Sequence, residues 1–178
     1  EADAAETDFY TLLRSPNDVV LGNLPYCVAS RILFQLFRTG RSAARWVLMF
    51  QREVAMRITA SPKSRDYGQL SIVSQLASSP SMVFHVSPGS FFPAPEVVST
   101  VVAFRPFAEA DLPWDDFSAW LTRVFSLRRK QMGRILATLA PGIDAARLAA
   151  ACGFDLKQRP EELPAPVHWR LFCEFFAK

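Results

Sequence analysis

The stretch "GNLPYCVAS", residues 22–30, places a carboxamide, a proline and an aromatic ring within four positions. Asn23 offers a side-chain carbonyl oxygen, and Leu24 and Pro25 offer backbone carbonyl oxygens in a segment that the proline ring stiffens. Tyr26 offers a flat ring face. A ligand with an exocyclic amino group on an aromatic ring would donate its N–H groups to these oxygens and stack on the tyrosine. The alternative interpretation is an ordinary X-Pro turn with a buried tyrosine.

A second group of residues with chemical potential is a run of cations with few intervening acids. Five cations fall within twelve residues, namely Arg123, Arg128, Arg129, Lys130 and Arg134. A solvated helix face is the usual interpretation of such a run, but the clustering favours contact with phosphate groups, which would make binding sensitive to salt. The same patch has four further candidates, namely Arg41, Arg45, Arg52 and Arg57.

The remaining reactive side chains are isolated. His85 and His168 have no carboxylate or cysteine at ligand spacing, so no metal site is expected. The three cysteines are an odd number without C-x-x-C spacing, which indicates a reduced, cytoplasmic setting. Cys27 has no paired histidine and is not expected to act as a nucleophile, and Glu96 is interpreted as a solvated loop charge.

Alternating strand and helix patterns must position these residues in the first part of the chain. Strands are predicted at 18–22, 46–50, 82–86 and 97–104, and helices at 28–37, 52–60 and 70–77. Gly40 is placed to end the first of these helices. The alternation predicts an α/β domain with a buried first strand, a largely parallel sheet and an antiparallel pair at its edge. Ligands of such sheets collect at the carboxyl ends of strands, where Asn23 then lies.

From about Pro113 onward only helical patterns follow. Asp144 is predicted to cap one of these helices and Gly153 to close it. Half of the 178 residues are hydrophobic, which is ample for a core, and the net charge is +3. No apolar run approaches the ~18 to 20 residues of a membrane span, so we expect no membrane association.

Five stretches, taken in order, carry a resemblance to a known family. They are "EADA" (1–4), the Asn-Leu-Pro-Tyr segment (23–26), "SPGSFFPAPEVVSTVV" (87–102), "FSLRRKQMGRIL" (125–136) and "RPEEL" (159–163). Together they resemble the ribosomal RNA adenine N6,N6-dimethyltransferases of the KsgA type, which are relatives of the Erm resistance methylases. A single motif of this length is weak, whereas five in order are specific.

The resemblance implies a fold and an activity. Residues 1–108 would be the C-terminal part of a Rossmann-like class I methyltransferase domain, an α/β fold, and residues 109–178 a small all-helical domain that contacts RNA. The enzyme would transfer methyl groups from S-adenosyl-L-methionine to N6 of two adjacent adenosines near the 3′ end of small-subunit, 16S-type ribosomal RNA. Its partner would be the immature 30S-type particle, and it would be a cytoplasmic monomer.

The resemblance also assigns roles to individual residues. Asn23, Leu24, Pro25 and Tyr26 match the motif that receives the target amine. Phe91 matches a second stacking ring that, opposite the tyrosine, holds a flipped adenine.

Further roles concern the cofactor and the neighbours of these motifs. Asp3 matches the acid that accepts from the adenine amino group of the cofactor, beside Asn23, although an exposed carboxylate is the alternative. Phe92 is interpreted as ordinary core packing. Cys27 departs from the family pattern, which has a polar residue such as asparagine there more often.

No G-x-G-x-G loop occurs in the sequence, and residue 1 already lies at the adenine-reading motif. We therefore expect the C-terminal two-thirds of a longer enzyme, and we expect this chain alone to bind S-adenosylmethionine poorly. A non-catalytic module that binds RNA or assembling ribosomes is the alternative function. Within the enzyme class, an Erm-like methylase of large-subunit RNA is the alternative.

Overall fold

A computed structural model of the chain describes residues 3–13, 15, 17–39, 43–107 and 112–176. The chain divides into two compact units, Glu1–Thr59 with Ser74–Asp111, and Ala60–Val73 with Leu112–Lys178. The predicted boundary at residues 108 and 109, like the predicted helix end at Gly40, lies outside the described residues. The grouping of residues 60–73 with the second unit was not predicted from the sequence.

The first unit combines a four-stranded sheet with helices, which confirms the predicted α/β class. Its elements are α1 (Phe9–Leu12), β1 (Val19–Asn23), α2 (Ala29–Thr39), β2 (Arg45–Gln51), α3 (Arg52–Thr59), the end of α4 (Gln69–Ala77), β3 (Ser78–Val86) and β4 (Ser99–Pro106). The central strand β2 alternates buried residues with a period of two, and α2 repeats its buried residues at helical spacing.

The strands lie in the order β1-β2-β4-β3. β1 and β2 are parallel, whereas β4 is antiparallel to both of its neighbours. The expected largely parallel sheet is therefore wrong for the described strands, while the antiparallel arrangement of the last two strands is confirmed. β4 is antiparallel to β3 because the connection between them is a loop without a crossover helix, so β4 must run back along β3.

The core of this unit lies on one face of the central strands. Trp46, Leu48 and Phe50 alternate along β2 and are almost fully buried, and Phe104 of β4 packs against Trp46 with ring centroids 5.9 Å apart. Phe37, near the end of α2, also packs against Trp46, with ring centroids 5.9 Å apart. This packing holds α2 against β2.

β1 is not the buried strand that the sequence predicted. Val19 and Leu21 are 51% and 75% exposed. The described residues give β1 a single neighbouring strand, β2, so its outward-facing apolar side chains have no second layer to pack against. Apolar composition indicated a strand correctly but did not indicate its burial.

The second unit is helical. Its helices are α5 (Trp114–Ser126), α6 (Met132–Leu139), α7 (Ala145–Cys152) and α8 (Ala165–Phe176), together with the start of α4. The predicted caps of α7 are confirmed, because the Asp144 carboxylate accepts from the Arg147 N–H at 2.9 Å and Gly153 takes a left-handed φ of 74°.

The segment Arg159–Leu163 holds this unit together. The Arg159 N–H donates to the Glu162 carboxylate at 2.6 Å, the Pro160 carbonyl accepts from Nε2 of His168 at 2.9 Å, and the Leu163 carbonyl accepts from the Tyr67 hydroxyl at 3.0 Å. Burial raises the pKa of Tyr67, so its hydroxyl remains a donor. These bonds also explain why residues 60–73 group with the helices.

Candidate functional site

The Asn-Leu-Pro-Tyr segment lies at the carboxyl end of β1, where the sequence predicted it. Asn23 is the last residue of the strand, pairs in register with Met49 and is exposed. The chain then turns, because the Val28 N–H donates to the Pro25 carbonyl at 3.1 Å, and α2 begins at Ala29. The turn presents the Asn23 carboxamide at the mouth of the sheet.

Gly22 makes the compact form of this turn possible. A Cβ atom at this position would lie 2.8 Å from Cδ2 of Leu24 and 2.9 Å from Cδ2 of Leu48. The absence of a side chain therefore lets Leu24 fold back onto β2. The Pro25 carbonyl is already used by Val28, whereas no described residue donates to the Leu24 carbonyl, which leaves that oxygen for a ligand.

Tyr26 is fixed by a residue that the sequence reasoning missed. Its hydroxyl shares a hydrogen bond with the Ser99 hydroxyl, with 2.5 Å between the oxygens. Ser99 is fully buried at the start of β4, whereas Tyr26 is half-buried. The bond ties the turn after β1 to the strand that follows the Phe91 loop. The sequence signal was a pair of hydroxyl residues, Ser99 and Thr100, between the valine pairs of "VVSTVV" (97–102).

Phe91 lies in the loop between β3 and β4, after a 3-10 turn at Pro88–Ser90. It is half-buried, and its N–H closes the turn by donating to the Pro88 carbonyl at 3.2 Å. Among the described residues, no direct ring contact joins Phe91 to Tyr26. The interpretation of Phe92 as core packing is wrong, because this side chain is 103% exposed. The loop points one ring inward and the next into solvent.

Asp3 lies in an N-terminal turn that is anchored to α2. Its Oδ1 accepts from the Ala5 N–H at 2.8 Å, and the residue is exposed, so Oδ2 is available to a ligand. The Thr7 carbonyl accepts from the Gln35 side chain at 2.9 Å, and the Phe9 N–H donates to Thr39 at 3.0 Å. The segment that contains Asp3 is thus bonded to α2, and the Asn-Leu-Pro-Tyr turn leads directly into the same helix.

The five predicted RNA-binding cations belong to the helical unit and are all exposed. Arg123 lies in the last turn of α5 and Arg134 in the first turn of α6. The other three, Arg128, Arg129 and Lys130, form the connection between these helices, which we call the basic turn. Within the described ranges, no carboxylate forms a salt bridge with any of the five. They present uncompensated positive charge.

The additional cations named from the sequence are separate from that group. Arg45, Arg52 and Arg57 are exposed and belong to the sheet unit, and Arg41 lies outside the described residues. Cys27 is exposed beside the turn, and its thiol has no described hydrogen-bond partner. The described residues contain no group of His, Cys, Asp or Glu side chains suited to a metal ion. None of the helices described here is both long and apolar enough to cross a bilayer.

His168 lies in the core of the helical unit and has a lowered pKa. Complete burial lowers its pKa from 6.5 to about 4, and the hydrogen bond to the Pro160 carbonyl opposes this only in part. The ring packs against Trp120, with centroids 6.1 Å apart. A neutral histidine in an aromatic core is a structural residue, which excludes it from acid–base chemistry near neutral pH.

Comparison with known proteins places this geometry in context. The family model described as "Ribosomal RNA adenine dimethylase" matches residues 1–160. The protein "Ribosomal RNA small subunit methyltransferase A" of Rhodospirillum rubrum is 38% identical over 166 residues, which cover 92% of this chain and 56% of that protein. Its namesake from Jannaschia sp. is 40% identical over 170 residues, covering 92% and 57%.

The chain thus spans about three fifths of the length of the curated relatives that it matches. Two solved structures share its fold. A dimethyladenosine transferase from Plasmodium falciparum superposes with a TM-score of 0.79 at 24% identity, covering 98% of this chain and 70% of that chain. The 23S rRNA methyltransferase ErmE gives a TM-score of 0.63 at 18% identity, covering 96% and 68%.

Proposed function

Because this chain belongs to the ribosomal RNA adenine dimethylase family, we propose that it receives the target adenosine of an S-adenosylmethionine-dependent dimethyltransferase. The substrate is small-subunit ribosomal RNA in an immature 30S-type particle, and the products are N6,N6-dimethylated adenosines, two in sequence near the 3′ end. The enzyme acts as a monomer in the cytoplasm. The observation that carries this proposal is the hydrogen bond that joins the Asn-Leu-Pro-Tyr turn to the strand after the Phe91 loop.

Positioning is the main catalytic contribution of the turn. The N6 lone pair of adenine is delocalised into the ring, which makes the nitrogen a poor nucleophile. If the Asn23 and Leu24 carbonyl oxygens accept its two N–H bonds, the nitrogen becomes pyramidal and its lone pair points in one fixed direction. Preorganised acceptors of this kind also stabilise the positive charge that develops on nitrogen. The amine becomes acidic once methylated, so no strong base is needed.

Stacking holds the base in that position. The target adenosine must leave its helix before its amino group is accessible, and its exposed ring faces then need partners. Tyr26 offers one face, and its hydroxyl bond to Ser99 restricts rotation of the ring. Phe91, which is half-buried in a loop of the same unit, is the proposed second ring.

The residues present fit one end of the cofactor. Bound S-adenosylmethionine supplies the methyl group. Asp3 keeps one carboxylate oxygen free of its own turn, and this oxygen can accept from an adenine amino group. Asn23, the last residue of β1, is the second proposed contact to this end of the cofactor. Together these two residues orient the adenine end of the cofactor.

The five exposed cations of the helical unit are the proposed contacts to RNA phosphates. Their charges have no described carboxylate partners, so they attract phosphodiester groups without a prior ion pair to break. Folded ribosomal RNA is recognised largely through its shape and backbone, which suits a surface of this type.

The test is methyl transfer to small subunits that lack this modification. A full-length protein containing this chain is incubated with S-adenosylmethionine, and N6,N6-dimethyladenosine is measured by mass spectrometry after nuclease digestion. We expect two modified adenosines per small subunit and none in large subunits. Asn23→Ala is expected to lower single-turnover transfer about a hundredfold, or about 3 kcal/mol, with nearly unchanged RNA affinity. RNA binding without any transfer would favour the non-catalytic module, and modified large subunits the Erm-like activity.

A further inference from the structure

The sheet unit has a second polar concavity, at the end of β2 that is remote from the Asn23 turn. Arg45 begins β2 and pairs in register with Val19, whereas Asn23 pairs with Met49 at the other end of the same two strands. A strand rises about 3.3 Å per residue, so the two ends lie about 13 Å apart. The concavity is therefore distinct from the site of the target adenosine.

Residues of three adjacent strands line this concavity, which has a volume of about 310 Å³. They are Arg45 of β2, Ala103, Phe104 and Arg105 of β4, and Ser79 and Ser81 of β3. A space of this size accommodates a phosphate group together with part of the sugar to which it is bonded. Every polar side chain in the lining is a hydrogen-bond donor.

The strand register places these donors on one face of the sheet. Ser79 pairs directly with Arg105. The β2–β4 register ends at the pair Trp46↔Phe104, and extending it by one position places Arg45, the residue before Trp46, opposite Arg105. Side chains directly opposite each other have Cβ atoms about 4.5 to 5.5 Å apart. Ser81 follows Ser79 by two positions and thus adds a hydroxyl group to the same face.

The concavity carries two positive charges. Among the described residues, no acidic side chain lines it, and neither Arg45 nor Arg105 forms a salt bridge. Like charges directly opposite each other on neighbouring strands destabilise a sheet. A bound anion would remove that repulsion, and guanidinium groups bind phosphate oxygens in a bidentate geometry that suits two arginines side by side.

We propose that Arg45, Arg105, Ser79 and Ser81 form a binding site for a phosphate group, and that a backbone phosphodiester of the RNA substrate occupies it. The arginines neutralise the charge, and the Ser79 hydroxyl donates to a remaining oxygen. The Ser81 hydroxyl donates to the Ala103 carbonyl at 3.5 Å in the unliganded site and would exchange this long bond for one to the phosphate. Arg45 then belongs to this site and not to the cation group of the helical unit. The choice of RNA as occupant rests on the proposed function, whereas the anion site rests on the strand geometry alone.

Inorganic phosphate tests the anion site without reference to RNA. Thermal unfolding of the protein is compared in phosphate and in chloride at equal ionic strength, for the wild type, Arg45→Gln and the control Arg147→Gln, whose side chain is exposed on α7. In low-salt chloride, Arg45→Gln is expected to melt above the wild type, because the repulsion is gone. Phosphate is expected to raise the melting temperature of the wild type and of the control more than that of Arg45→Gln. An equal phosphate response in all three proteins would overturn the anion site.

A small-subunit RNA hairpin tests the occupant. Its affinity is measured by fluorescence anisotropy across a salt series for Arg45→Gln/Arg105→Gln and for the charge-matched control Arg147→Gln/Lys157→Gln. One lost phosphate contact at about 0.1 M salt should weaken binding roughly fivefold to tenfold and reduce the slope of log affinity against log salt by about 0.7 to 0.9. Equal losses of RNA affinity in the two double variants, or no loss of affinity in Arg45→Gln/Arg105→Gln, would overturn RNA as the occupant. Free phosphate would then be the ligand of the site. A wild type that binds no RNA would refute the proposed function, while the melting experiment still decides the anion site.

Discussion

The hydrogen bond between Tyr26 and Ser99 predicts a difference between two small substitutions. Tyr26→Phe removes the partner of a fully buried hydroxyl, since Ser99 is 0% exposed. Ser99→Ala leaves the hydroxyl of Tyr26 without this partner, on a side chain that is only half-buried and can turn towards solvent. A buried polar group without a partner costs about 1 to 3 kcal/mol, whereas losing a hydrogen bond whose other group returns to water costs about 0.5 to 1.5 kcal/mol. Tyr26→Phe is therefore expected to destabilise more than Ser99→Ala.

The double variant separates the bond from the two side chains. With both hydroxyls removed, no buried group is left unsatisfied, so the double variant should be more stable than the sum of the single losses predicts, by about 1 kcal/mol. Urea unfolding of the four proteins gives this coupling energy. Tyr10→Phe is the matched control, because the Tyr10 ring is 72% exposed, and it should change stability little.

The same variants test whether the bond serves the target adenosine. Loss of the hydrogen bond frees the Tyr26 ring and weakens its stacking on the adenine, and such stacking is worth about 1 to 3 kcal/mol per base. Both single variants should therefore need a higher RNA concentration for half-maximal single-turnover methylation. The transfer rate at saturation should fall less. This differs from Asn23→Ala, which acts on the transfer step. Coupling below about 0.3 kcal/mol, or unchanged RNA dependence, would refute the argument.

Three further predictions follow from particular contacts. Gly22→Ala should lower the free energy of unfolding by about 1 to 3 kcal/mol in urea titrations, because its Cβ would lie 2.8 Å from Leu24 and displace it from β2. Replacing the three cations of the basic turn with alanine should reduce the salt dependence of RNA binding by up to about three phosphate contacts without affecting cofactor affinity; an unchanged slope would mean that the turn is only solvated. Stability should fall as the pH drops from 6.5 towards 4, because unfolded His168 takes up a proton that the folded protein, with a pKa of about 4, excludes. At 1.36 kcal/mol for each unit of pKa difference, this loss of unfolding free energy amounts to about 3 kcal/mol. Thermal melts across this pH range should lack the contribution in His168→Gln, whose side chain cannot titrate.

Local sequence patterns were sufficient to predict most elements of this fold. The period-two pattern of β2 and the caps of α7 depend on neighbouring residues, and both are present. The position of the Asn23 turn followed from the end of an apolar strand and the proline after it. Such features need no knowledge of distant partners, because backbone sterics and side-chain periodicity determine them.

Features that depend on distant partners were not predictable in the same way. The order β1-β2-β4-β3 places the last strand inside the sheet, between two strands that come earlier in the chain. Pro80 in β3 is a local signal of an edge strand, but which strands pair with β4 depends on distant segments. The exposure of Leu21 and Phe92 likewise depends on what covers them, although both residues are strongly apolar. Ser99 was missed for a related reason, since its partner lies 73 residues away in the sequence.

The five family stretches therefore have different physical roles, although they are equally useful for recognising the family. In the stretch at 159–163, the Pro160 and Leu163 carbonyls and the Arg159 N–H form hydrogen bonds within the helical unit, which gives these backbone groups a structural role. The stretch at 87–102 has a structural part and a proposed binding part. Its Ser99 fixes the ring of Tyr26 in the Asn-Leu-Pro-Tyr segment, whereas its Phe91 is the proposed second stacking ring. A motif can therefore identify a family without taking part in catalysis. The distinction is made by the partners of its polar groups. Among the described residues, no group donates to the Asn23 carboxamide oxygen or to the Leu24 carbonyl, the two acceptors proposed for the target amine.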